Sequence, residues 1–222
     1  MKKFLNIKIL SIAAFLFIGM SVSAQKYERP YNQWSLEVQT GYHLPVAPSD
    51  DVKLGDYSGA FQQFKGGIRY MVNDTYGIKA HYSFLSFENS DLPGDYKFNS
   101  VAIEGVANLW KVGNVKGDFK KTFGLLFHLG AGVTFANPSG SKGTDHVGNI
   151  LGGFMPQVKL SKNFTVFADL AFQTNLKQHY AYDGGLIDRS YEHKTGGLFN
   201  FSIGLTYSFG KKDNHADWYY EK

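Results

Sequence analysis

Large apolar residues fall on alternate positions in stretch after stretch of this chain, and the last stretch shows the rule cleanly. From Ser202 to Phe209, the side chains of Ile203, Leu205, Tyr207 and Phe209 share one parity, and Ser202, Gly204, Thr206 and Ser208 share the other. A period of two puts successive side chains on opposite faces of a strand. The same pattern marks eight candidate strands, approximately Gln33 to Leu44, Phe61 to Val72, Tyr76 to Phe87, Phe98 to Trp110, Thr122 to Phe135, Ile150 to Leu160, Phe164 to Thr174 and Leu198 to Phe209. Pro156 removes a ladder donor from the sixth and predicts a bulge or distorted edge there. Abundant Gly and aromatic residues with modest charge suit an all-β chain with many turns.

The connections alternate in length. Asn73 to Thr75 and Ser161 to Asn163 form tight turns, whereas long polar segments rich in Gly, Asp and Ser follow strands one, three, five and seven. The connection after strand four, around Lys111 to Lys120, is longer than that rule allows. Which face lies inside is decided by volume. An eight-stranded barrel has room only for its own small filling, and roughly thirty large apolar residues compete for one face. They do not fit inside. The other face, dominated by Gly, Ser, Thr, Asn and Gln, suits a narrow lumen and lacks the dense Lys and Glu of a water-exposed exterior. The expected fold is therefore an eight-stranded antiparallel up-and-down transmembrane β-barrel, apolar outward, with Trp34, Tyr42, Tyr70, Tyr76 and Tyr207 near the membrane interfaces. Short turns at one end and long loops at the other predict a cell outer-membrane location with both termini periplasmic.

The first residues agree with export. Lys2, Lys3 and Lys8 precede the apolar run Ile9 to Met20, and Val22 and Ala24 stand before Gln25, the layout of a secretory signal peptide over residues 1–24. Without these three lysines the formal charge of +4 becomes 4 − 3 = +1, so nothing points to nucleic acid. The absence of cysteine excludes disulfides and thiol catalysis. The barrel is expected over residues 25–210 and a periplasmic tail over 211–222.

Ser202, Gly204, Tyr207 and Phe209 are spaced as in the C-terminal β-signal that the barrel-assembly machinery recognises, and with the leader and strand count the chain from about Gln33 to Phe209 resembles the small OmpA-like outer-membrane barrels. The resemblance implies outer-membrane lipids and the assembly machinery as partners. The tail from Gly210 looks like the linker that leads, in some members, to a peptidoglycan-binding domain; it stops at Lys222, so a wall-anchoring role is not carried over.

Inward parity collects Glu37, Lys65, Arg69, Lys79, His81, Glu104, His128, Lys159 and Asp169. Unpaired charges in a narrow interior cost several kcal/mol, so these should pair into a network that fills the lumen. The expected role is structural or partner-binding, the partners being other envelope proteins or glycans met through the long loops; a narrow ion or small-solute channel is the alternative. A lipid-modifying enzyme ranks third. His43, His179 and His193, with Asp183 and Asp188, sit near loop ends, but nothing fixes a nucleophile beside them, and each reads as a solvated loop residue. The carboxylates of Pro48 to Asp56 and Thr144 to Asn149 fit no calcium-loop pattern and read as turn chemistry. No phosphate loop, Rossmann glycines, HExxH pair or GxSxG elbow occurs, so neither catalysis nor a cofactor is expected.

Overall fold

The computed structural model describes residues 29–47, 63–87, 96–138, 143–182, 186–187 and 194–220. Eight strands run β1 (Trp34–Ala47), β2 (Gln63–Met71), β3 (Tyr76–Phe87), β4 (Tyr96–Asn108), β5 (Phe123–Pro138), β6 (Asp145–Lys159), β7 (Phe164–Gln178) and β8 (Lys194–Phe209). Each pairs antiparallel with the next, and β8 closes on β1 from Trp34 opposite Phe209 to Pro45 opposite Leu198. The one described α-helix, α1 (Leu109–Val112), and a 3-10 turn at Asp118–Lys121 fill the long connection between β4 and β5. No helix among the described residues is long and apolar enough to cross a membrane.

Side-chain burial is inverted relative to a water-soluble barrel. Leu36, Val38, Ile68, Val101, Ile103, Leu170, Ile203 and Leu205 are exposed on the outer wall, Ile103 by 63% and Ile203 by 68%, while Arg69 and Glu104 are 0% and 1% exposed. Such an exterior requires hydrocarbon around it, and closure of the sheet pairs the backbone groups that hydrocarbon cannot solvate. Trp34, Tyr76, Phe123, Phe164 and Tyr207 ring the end where β1 begins and β8 ends, with the Trp34 and Tyr70 rings 4.7 Å apart. That end, with the short turns at 72–75 and 160–163, is the terminal end here; the opposite end is the loop end.

Two expectations are corrected. Several strands reach further toward the loop end than the apolar alternation shows: β4 begins at Tyr96, β6 at Asp145 and β8 at Lys194, and β7 continues to Gln178. Hydrogen-bonded pairing does not need apolar side chains, so the ladder continues beyond the apolar belt. Pro156 makes no bulge. Pairing of β6 with β7 skips only Met155 and Pro156 and resumes in the same register, Phe154 opposite Leu170 and Gln157 opposite Phe167. The missing N–H costs a ladder bond without adding a residue to the strand.

Gly210 lets the chain turn back at the end of β8. Its φ of 144° is open to glycine, and a Cβ there would lie 2.1 Å from Asn32 Oδ1. If Ile103 faces hydrocarbon, Ile103→Arg should destabilise the barrel by about 2–4 kcal/mol when it lies near the bilayer midplane, whereas the inward Ala102→Ser should change stability little. Urea unfolding in lipid vesicles checks both, and equal effects would contradict the outward assignment.

Candidate functional site

The register of the sheet builds the lumen. Lys79 on β3 stands opposite Glu104 on β4, and Arg69 on β2 lies between Ser35 and Lys79 on its two neighbours. Lys79 Nζ meets Glu104 Oε1 at 3.2 Å and Glu37 Oε2 at 3.8 Å, and Arg69 Nε meets Glu37 Oε1 at 2.8 Å. His81 Nδ1 lies 2.9 Å from Glu104. His128 bridges two carboxylates, Nδ1 against Glu104 and Nε2 at 2.9 Å from Asp169. Asp169 also meets Lys65 at 3.3 Å and accepts from Gln39 Nε2 at 2.9 Å; the same amide donates to Ser202 Oγ at 2.7 Å. Of the nine residues expected in this network, eight lie in it. Lys159 does not: it is half-buried at the terminal rim, where its ammonium donates to Asn214 Oδ1 at 2.8 Å.

The network is continued by residues that period-two patterning could not reach. After Gly210 the tail folds back into the terminal mouth, and His215, Ala216, Asp217 and Trp218 are buried there. Arg69 grips the Asp217 carboxylate with two nitrogens, at 3.1 and 3.0 Å, the fork geometry of the strongest ion pairs. Trp218 Nε1 donates to Thr165 Oγ1 at 3.2 Å, Asn108 Nδ2 to the Asp217 carbonyl at 3.1 Å and Lys111 Nζ to the Ala216 carbonyl at 2.7 Å. Asn32, just before β1, exchanges hydrogen bonds with Lys212, Asn214 and Ala216. The tail thus braces β1, β2, β4 and β7 across the mouth. Burial alone would raise the Asp217 carboxyl, but Arg69 and His215 outweigh it and hold the group below the usual carboxylate range. Burial, with Asp217 and Asp74 nearby, pushes the Tyr220 phenol up to about 12.

The lumen is also less polar than expected. Val106, Leu126, Met155 and Phe167 form an inward apolar cluster, with Phe167 filling the space that Gly204 leaves: a Cβ on Gly204 would meet that ring at 2.3 Å. Toward the loop end Leu85, Phe87, Tyr96, Phe98, Val147, Tyr182 and Leu198 pack into a second cluster. The signal for it is in the sequence, because Tyr96 and Phe98 share the parity of Glu104, and parity outranks hydrophobicity. His43 belongs to this region rather than to solvent, buried with its ring 4.4 Å from Phe87. Asp145 likewise is buried in β6, accepting from the backbone N–H of His179 at 2.9 Å and lying 2.8 Å from its Nδ1. Asp183, Asp188, His193 and the Pro48 to Asp56 carboxylates lie outside the described residues, as do residues 1–24, where a signal peptide is expected. Among the described residues no cluster of His, Asp and Glu is placed to hold a metal ion.

Of the C-terminal quartet, Ser202 points into the lumen, Gly204 makes room for Phe167, Tyr207 faces outward and Phe209 ends β8 opposite Trp34. A closed antiparallel barrel with a greasy wall and an ion-paired interior defines the class: an eight-stranded up-and-down transmembrane β-barrel. No family model matches the chain, and no curated protein does. Among solved structures it is similar to Ail, the attachment invasion locus protein of Yersinia pestis, at 18% identity and TM-score 0.50, over 81% of this chain and 99% of that one. Neisserial surface protein A follows at 13% identity and TM-score 0.49, over 79% and 97%. OprG of Pseudomonas aeruginosa matches at 13% identity and TM-score 0.46, over 82% and 98%. At these identities the likeness is one of fold.

Replacing Arg69 by Met leaves Glu37 with only the longer contact to Lys79 and Asp217 with only His215, and should cost about 3–5 kcal/mol; adding Asp217→Asn should return part of it, as measured by urea unfolding in vesicles. The Asp217 carboxyl sits lower in the folded than in the unfolded chain. Its stabilisation is therefore complete above the ordinary carboxylate value of about 3.9 and is lost as pH falls below it. In a chain whose only tryptophan is Trp218, its fluorescence should report release of the tail in that acid range, and Asp217→Asn should flatten the transition.

Proposed function

We propose that the protein is an integral outer-membrane barrel, both termini periplasmic, acting as a structural or partner-binding component of the envelope. The observation that carries this reading is the inverted polarity, an exposed apolar wall around buried Arg69, Lys79 and Glu104. A lumen filled by the tail, an apolar cluster, an ion network and an aromatic cluster suits a scaffold, because side chains take up the space that a solute would need. Specific contacts then belong to the long loops at the outer end, and the partners to which they suit themselves are envelope proteins or glycans. Ser202, Gly204, Tyr207 and Phe209 serve assembly in this reading, as the signal that delivers β8 to the insertion machinery.

A narrow channel is the second reading, favoured by the run of charged groups from Asp169 through His128, Glu104 and Lys79 to Glu37 and Arg69, since lined-up charges can select ions. Catalysis is the weaker fit. The buried histidines face carboxylates or packed rings, and in this reading they serve the filling of the barrel.

The expected behaviour is heat-modifiable migration on a gel and no steady conductance in planar bilayers. A band that runs identically boiled and unboiled argues against the barrel in membrane. Steady conductance that changes on Glu104→Ala supports the channel instead.

A further inference from the structure

The outer wall carries a groove that the proposed scaffold role does not use. Its volume is about 570 Å³, within the range of about 300–1,000 Å³ typical of small-ligand sites, and it runs across β5 to β8 near the terminal end. Trp110, Phe123, Pro156, Val166, Ala168 and Ile203 line it. The hollow arises because Pro156 and Ala168, short outward groups on facing strands, are bordered by Phe123 and Ile203, while Trp110 leans over from α1. The indole is fixed there, its Nε1 donating to the Phe123 carbonyl at 3.0 Å.

Charge is distributed around this groove in a matching way. Just past the terminal ends of the four strands that form it stand Lys120 and Lys121 before β5, Lys162 in the turn between β6 and β7, and Lys211 and Lys212 after β8. The nearby acids that pair with them are Asp118, 2.6 Å from Lys121, and Asp213, 2.9 Å from Lys162. Both aspartates are 92% exposed, and exposed pairs of this kind are weak, so the two lysines exchange partners readily. The apolar hollow, lined in part by Trp110 and Phe123, therefore lies beside the strand ends that carry these lysines.

We infer that this groove seats one acyl chain of an anionic phospholipid from the leaflet at the terminal end, whose headgroup phosphate is held by Lys121 and Lys162. A zwitterionic lipid of equal chain length fills the hollow equally well but gains less from the rim, since its headgroup carries no net charge. The inference rests on the membrane reading above.

The test uses the full chain, folded in mild detergent and stripped of lipid, offered equal amounts of phosphatidylglycerol and phosphatidylcholine with identical chains; native mass spectrometry counts what is retained. The protein should retain phosphatidylglycerol over phosphatidylcholine by about fivefold or more, the effect of a single lysine at a membrane surface. Lys121→Gln with Lys162→Gln should bring the two lipids level, and Ala168→Phe, which fills the hollow, should lower retention of both. Heat-modifiable migration shows that each variant is folded; if the unaltered chain lacks it, the membrane reading has failed, not this site alone. Equal retention of the two lipids by the unaltered protein, or an Ala168→Phe variant that retains as much as its parent, overturns the inference and leaves the groove to an apolar segment of a partner protein.

Discussion

Hydrocarbon offers no hydrogen bonds, and the rest of the structure follows from that. A sheet surrounded by lipid can leave no edge, so β8 must return to β1, and the register from Trp34 opposite Phe209 onward is the seam that satisfies both. Closure at eight strands then fixes a narrow bore. Polar groups displaced from the wall are pressed together inside it, where each charge needs a partner at once. The lumen network is thus a consequence of closure as much as a feature added to it.

Within that bore, Arg69 holds the two parts of the chain together. Its guanidinium takes Glu37 from the wall and Asp217 from the tail, so the barrel and the segment that stoppers it share one cation. Arginine suits the position because its planar fork presents its donors to two carboxylates in fixed directions, whereas the Lys79 ammonium, which also meets two carboxylates, is a point charge with rotatable donors. The histidine between Glu104 and Asp169 does the same work deeper in the lumen with two ring nitrogens. The apolar cluster of Val106, Leu126, Met155 and Phe167 adds to the filling, and Gly204 is small where Phe167 is large.

Strand number, antiparallel order and the outward face were legible because alternation is local: Leu36, Val38 and Ile203 announce their side by their neighbours two positions away. Inward charges such as Glu37, Lys79 and Glu104 follow by the same parity. Lys159 shows the limit of that rule. It has inward parity but lies at the rim, where an ammonium on a long stem reaches Asn214 instead of the network. Tyr96 and Phe98 show the opposite limit, since a hydrophobicity argument assigns them outward while their parity sends them in. Pro156 was legible as a lost donor but not as a position held in register by its neighbours on both strands.

The sequence by itself determined the wall: eight strands, their faces, and the polarity that calls for lipid outside, because these depend on residues adjacent along the chain. Only the tertiary structure decided which charges meet and what closes the mouth. Arg69 and Asp217 are separated by most of the barrel in sequence, and His215 to Trp218 carry no periodicity, so their burial depends on how a closed sheet shapes its end rather than on any local preference.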